Sequence, residues 1–215
     1  MERKPKRILV LISAPKLTHL CHQKGLMSRL KTINLPIPTD NLELEKKYLE
    51  ALRGYSGKAN KVFGGIFREA CASIRASRSL GLKIDLFVVS PRYGIIGEDD
   101  IVVPYAFSLS RLSKSEVRAI SLKLKVKERL LSILKQGYDL VFLMCNKKDL
   151  LMVNDPEMGF KIEEYCNELT VFAAPSSSVG FGKGVIFHSR KYASERSALL
   201  AKMLEDLNIR RIDEY

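Results

Sequence analysis

The chain has no tryptophan, only three histidines and four cysteines, and no apolar run that could cross a bilayer. Each scarcity narrows the function. Without tryptophan, and without an aromatic-rich strand of the RNP type, a base-stacking RNA platform is not supported. Spanning a membrane takes about 20 apolar residues, so no membrane partner is expected. The first apolar run follows the basic stretch Met1–Arg7. It is too short for the roughly 7–15-residue core of a signal peptide and has no evident cleavage site. It reads as a first strand, in a cytoplasmic protein. Cys21, Cys71, Cys145 and Cys166 show no repeated spacing, so reduced thiols are expected rather than a disulfide framework.

Reactive constellations are also scarce. His19, Cys21 and His22 lie close together, but two of them are neighbours and no second pair has zinc-like spacing, so no metal is expected. Cys145 has no identifiable histidine partner. No pair of carboxylates stands out for general acid–base work. Glu98, Asp99 and Asp100 read as an acidic surface loop, with a general base beside Arg92 and Tyr93 as the alternative. Residues 176–184 invite a phosphate-loop reading. The Walker spacing fails, because Ser177 stands where the first glycine belongs and Gly184 replaces the magnesium-binding hydroxyl. An anion nest near Lys183 and a plain flexible hairpin both stay open there. No cofactor is expected.

Four unbroken apolar runs are present, at 8–12, 86–89, 140–144 and 170–174, each followed by small polar residues. They run into Ser13-Ala14-Pro15-Lys16, Ser90-Pro91-Arg92-Tyr93-Gly94, Cys145-Asn146-Lys147-Lys148 and Pro175-Ser176-Ser177-Ser178. Runs without alternation suggest parallel strands covered on both faces. Parallel strands would bring all four polar tips to one edge, where ligands bind in open α/β sheets. The candidate ligand or anion site is therefore Ser13, Lys16, Ser90, Arg92, Tyr93, Tyr105, Asn146, Ser176, Ser177 and Ser178, with Arg92 expected to grip a phosphate or carboxylate bidentately. The alternative for 90–94 is a plain turn.

Between the strands, helical signals alternate. Asp40, with Glu43 three residues on, predicts a helix to about residue 53. A second runs from about 60 to 80 with Val62, Phe63, Ile66, Phe67, Ala70 and Ile74 on one stripe, closed by Gly81. A capping box at Ser113 and Glu116 opens a third, to about 136, although Leu122–Val126 alternates like a strand. Strand 139–145 leads into an irregular stretch and a short helix near 160–168. Strand 169–174 returns through a hairpin as 185–187, and a helix at 192–207 closes the chain. Strands alternating with helices imply an α/β three-layer sandwich with a mainly parallel central sheet, and 215 residues suit one domain spanning 1–215.

The net charge of +12 is concentrated. Residues 1–31 hold eight Lys and Arg against one acid, and residues 111–135 hold eight against two. Such stretches suit a polyanion. Arg3, Lys4, Lys6, Arg7, Lys123, Lys125 and Lys127 are the candidate nucleic-acid contacts.

Residues 55–110 resemble an uncharacterised α/β family, a domain of unknown function. The matching features are Tyr55-Ser56-Gly57, Phe63 and Phe67 on a helix, Ser90-Pro91-Arg92-Tyr93-Gly94-Ile95, the acidic loop Glu98–Asp100, and Pro104-Tyr105. That family is similar to the uracil-DNA-glycosylase-like module of archaeal tRNA-guanine transglycosylase. Pro91-Arg92, where members often carry small residues or lysine, and the basic N-terminal region are departures. The resemblance implies a Rossmann-like, uracil-DNA-glycosylase-like sheet and a pocket at its strand ends, and no settled activity. The expected function is binding of a nucleotide or a nucleic acid, RNA or DNA, at the carboxyl ends of the strands. The alternative is an enzyme acting on a nucleotide or nucleic-acid base, at an N-glycosidic bond or by base modification, with tRNA as one substrate class.

Overall fold

The structure, a computed structural model, describes residues 7–15, 25–173, 181–182, 185–188 and 193–212. In chain order the elements are β1 (Arg7–Ser13), α1 (Leu26–Thr32), α2 (Glu45–Ala51), β2 (Gly57–Lys58), α3 (Ala59–Val62), α4 (Ile66–Ser79), β3 (Lys83–Ser90), β4 (Gly94–Gly97) and β5 (Ile101–Val102). A 3₁₀ turn (Leu109–Arg111) precedes α5 (Lys114–Lys123), α6 (Val126–Leu134), β6 (Leu140–Met144) and α7 (Lys147–Val153). Two further 3₁₀ turns lead to β7 (Glu168–Val171), β8 (Ile186–Phe187) and α8 (Ala193–Ile212).

The main sheet has the order β4-β3-β1-β6-β7-β8. β3, β1, β6, β7 and β8 run parallel, and β4 is the antiparallel edge. The four expected strands therefore share one mostly parallel sheet flanked by helices. β1 shows why its run is unbroken. Ile8, Val10 and Ile12 enter one core with Phe67, Ala70 and Ile74 of α4 and Leu200 and Leu204 of α8. Leu9 and Leu11 enter the opposite core with Val117 of α5, Val126, Leu130 and Ile133 of α6, and Leu150 and Val153 of α7. All five β1 residues are essentially inaccessible, each worth about 1.5–3 kcal/mol relative to exposure. A third, smaller cluster joins Leu26, Leu30, Tyr48 and Leu52 of the 25–55 segment to Val103.

Several local expectations are corrected. The helix expected from Asp40 begins at Glu45, and Asn41 instead accepts from the Glu43 N–H at 2.8 Å in an Asx turn. The 60–80 helix breaks between α3 and α4, where Gly65 adopts φ 57°, ψ −138°, a conformation open essentially to glycine alone. The Ser113–Glu116 capping box is present, but its helix stops at Lys123 and restarts as α6 after Lys125, which is left-handed at φ 51°. The strand-like alternation of Leu122–Val126 marks that break. Residues 94–97, for which no element was expected, form β4. The stretch 147–153, read as irregular, forms α7, whose N-terminal N–H groups of Lys148 and Asp149 are capped by Asn146 Oδ1. β8 pairs with β7 in parallel, not as a hairpin.

Candidate active-edge cleft and its buried support

The connection from β1 to β3 leads to one side of β1, and the return to β6 passes to the other. The carboxyl ends of β1 and β6 thus flank the point where the strand order reverses, where the helices of the two layers diverge and leave a crevice. An open cleft of about 220 Å³ lies there, lined by Ala14 and Pro15 after β1, Pro91 after β3, Phe107–Ser110, and Asn146–Asp149 after β6. The lining combines apolar side chains, Pro15, Pro91, Phe107 and Leu109, with the polar and charged Asn146, Lys147, Lys148 and Asp149.

The strand tips are tied together beneath the cleft. The Asn146 N–H donates to Ser13 Oγ at 2.9 Å, and the Ala14 N–H donates to the Val89 carbonyl at 2.8 Å. Asn146 Nδ2 donates to Asp149 Oδ2, so Asn146 both caps α7 and holds a carboxylate that is only 3% exposed. Lys148 Nζ donates to the Leu112 carbonyl at 2.7 Å, which closes α7 against the segment before α5.

Ser90, Arg92, Tyr93 and Tyr105 form a buried network rather than a wall of the cleft. The stretch after β3 is a hairpin turn, with Ser90 paired to Gly94. Ser90 Oγ lies 2.9 Å from Tyr105 Oη and accepts from the N–H groups of Arg92 and Tyr93. Arg92 is fully buried. Its guanidinium donates to the Thr39 and Asn41 carbonyls and to Glu45 Oε2, and it lies against the Tyr48 and Tyr93 rings. Tyr93 Oη donates to the other Glu45 oxygen at 2.7 Å and accepts from the Val103 N–H at 3.0 Å. The expected anion grip of Arg92 is thus occupied by Glu45 within the chain. Burial is the main cause that pushes the Tyr93 and Tyr105 hydroxyls well above the usual phenol range. The Arg92 guanidinium stays charged, because Tyr93 and Glu45 outweigh its own desolvation.

The other expected residues are dispersed. Arg7 sits at the opposite, amino-terminal edge, bonded through Nη2 to Asp85 at 2.9 Å and through Nη1 to the Gln136 carbonyl, with Tyr138 under its guanidinium. Lys123, Lys125 and Lys127 lie around the α5–α6 break, which packs on Gly94 at the carboxyl end of β3. The structure therefore does not bring Arg7 to them. Lys123 pairs at 3.8 Å with Asp40, and Lys127 donates to the Met158 carbonyl at 3.3 Å. Lys16, Ser176, Ser177 and Ser178 of the ligand set, Arg3, Lys4 and Lys6 of the basic set, and His19, Cys21, His22, Lys183 and Gly184 lie outside the described residues.

In the acidic loop, Glu98 pairs with Arg78 at 2.5 Å, Asp99 with Lys58 at 2.9 Å, and Asp100 accepts from the Gly97 N–H at 2.8 Å. None of the three lines the cleft. Cys145 is inaccessible, and burial raises its thiol far above the ordinary range, so thiolate chemistry is suppressed. Among the described residues, no group of three or more His, Cys, Asp and Glu is placed to hold a metal ion, and no helix is long and apolar enough to cross a membrane.

Sequence reasoning missed Phe107–Ser110 and Asp149. A signal existed for each. Ser108 caps the 3₁₀ turn by accepting from the Ser110 N–H, and Asn146 and Asp149 have the spacing of an N-cap and its third helical position.

Comparisons with protein-family models, with curated proteins and with solved structures return no match.

Proposed function

We propose that this protein binds a nucleotide, free or within a nucleic acid, in the cleft at the carboxyl ends of β1, β3 and β6. The observation that carries the reading is a cleft at the reversal of strand order whose lining combines apolar side chains, Pro15, Pro91 and Phe107, with the exposed Lys147 beside Asn146 and Lys148. A flat heteroaromatic ring bearing an anion needs both an apolar surface and a cation, and ligand sites sit at such switch points. The parallel strands, taken in their own chain order, lie two-one-three-four-five. This is the flavodoxin-like one of the two common doubly wound orders, distinct from the Rossmann order, and it supports a ligand site at the switch point. The uracil-DNA-glycosylase-like assignment stands on the motif resemblance of residues 55–110.

The test is equilibrium binding of nucleoside monophosphates, one for each common base, by calorimetry. Ser110 is exposed and lines the cleft, so Ser110→Trp fills the space without disturbing a core. Binding by the parent that is lost in Ser110→Trp is the expected result. Failure of the parent to bind any monophosphate or a short oligonucleotide refutes the reading.

The alternative, chemistry on the base, is favoured by one observation: Asp149 is a nearly buried carboxylate that lines the cleft. Release of free base from a nucleoside or an oligonucleotide, abolished in Asp149→Asn, would establish it.

A further inference from the structure

Among the described residues, Arg7 is paired with Asp85, Lys58 with Asp99, Arg78 with Glu98, Arg92 with Glu45, Arg118 with Asp155 and Glu157, and Lys123 with Asp40. Three cations without an ion pair among the described residues stand at the rim of the cleft, which sets them apart by position. Arg111 directly follows the lining segment Phe107–Ser110, and Lys114 opens α5 three residues later. Lys147, in the first turn of α7, lines the cleft as well. All three are exposed, and none makes an ion pair with a described residue. They are neighbours across the cleft, because the Lys148 ammonium is bonded to the carbonyl of Leu112, the residue after Arg111. The nearby acids are taken up in caps, Glu116 by Ser113 and Asp149 by Asn146.

The cleft is small for this rim. About 220 Å³ lies below the roughly 300–1,000 Å³ of sites for drug-sized ligands, so it takes one ring system and leaves the flanking cations outside. Resting on the nucleotide reading above, we infer that the ligand is presented within a single-stranded polynucleotide. One base enters the cleft, and the neighbouring phosphates are held by Arg111, Lys114 and Lys147. A duplex would first have to unpair and unstack that base, at a cost of a few kcal/mol. A single strand avoids this cost.

The experiment measures fluorescence anisotropy with labelled single strands of about ten nucleotides, DNA and RNA, a length within the range covered by single-strand sites. The matching duplexes and the nucleoside monophosphates serve as competitors. With three phosphate contacts the log–log salt slope for a single strand is about −2, so a fourfold rise in salt weakens binding by roughly 15–20-fold. The double variant Arg111→Glu/Lys114→Glu removes two contacts, so the slope flattens to about −0.7 and the same salt step costs only about threefold. Both positions are exposed, and an acid in the first turn of α5 suits the helix dipole, so the variant folds; a thermal melt confirms it. Its effect on monophosphate binding is smaller than on the oligonucleotide.

Three results would overturn the inference while leaving the cleft reading intact. They are monophosphates binding as tightly as the oligonucleotide, an unchanged salt slope in the double variant, and duplexes competing as well as single strands. If neither monophosphate nor oligonucleotide binds, the cleft reading falls with it.

Discussion

Removing the Glu45 carboxylate isolates the Arg92 guanidinium inside the protein. Arg92 has no exposed side-chain surface, whereas Glu45 keeps about a fifth of its own. In Glu45→Ala the guanidinium keeps only the Thr39 and Asn41 carbonyls, and the Tyr93 hydroxyl loses its acceptor. Breaking a buried pair by deleting one partner costs about 3–5 kcal/mol, because the surviving charge is left uncompensated. The partial exposure of Glu45 places the loss at the lower end, about 3 kcal/mol. For a chain of this size each kcal/mol moves the melting temperature by about 2–4 °C, so a drop of roughly 6–12 °C is expected. Circular dichroism melts and urea unfolding measure it. The double variant Glu45→Leu/Arg92→Met removes both charges, and apolar replacements of a buried pair are often close to neutral. It should therefore be more stable than Glu45→Ala, although the two carbonyls lose their donor. A Glu45→Ala loss below about 1 kcal/mol, the level of an exposed ion pair, would show that Arg92 is not locked in this network.

Alkaline pH should destabilise the fold before neutral chemistry would suggest. Burial raises the Cys71 and Cys166 thiols to about 11 and pushes the Tyr48, Tyr93 and Tyr105 hydroxyls up. The folded state then holds protons that the unfolded chain has already released, so stability is full below the ordinary thiol value of 9.0 and falls as pH rises towards 11. Urea midpoints at pH values either side of that window should decline, and a flat profile would refute the burial of these groups. Gly94→Ala should lose roughly 2 kcal/mol. Its φ of +74° disfavours a side chain, and an added Cβ would lie 3.2 Å from the Leu124 carbonyl oxygen. A neutral result in the same urea assay would show that the α5–α6 break does not press on this turn.

Strand positions were readable because burial is written into composition. β1 and β6 are covered on both faces, so every residue from Ile8 to Ile12 and from Leu140 to Met144 is apolar. The capping box at Ser113 was equally plain, since both members of the reciprocal bond lie within one turn. α7 was not, because seven residues carry too little of a helical stripe to stand out from a loop. The break at Lys125 was visible only as a disturbance in pattern, since nothing in a lysine announces a left-handed backbone.

The role of Arg92 depended on distance. The letters Ser90-Pro91-Arg92-Tyr93-Gly94 are the same whether the arginine grips a ligand, faces solvent or is buried, and the choice lies with Glu45, 47 residues away in the chain. Asn146 likewise looked like a ligand contact, and it proved also to be the cap that starts α7. Composition and periodicity thus settle which segments are buried and extended, because those properties follow from each residue and its near neighbours. The order of the strands, the place of the cleft and the partner of each charge are settled by which segments the crossovers bring side by side. That arrangement is a property of the whole chain and appears only when the sheet is assembled.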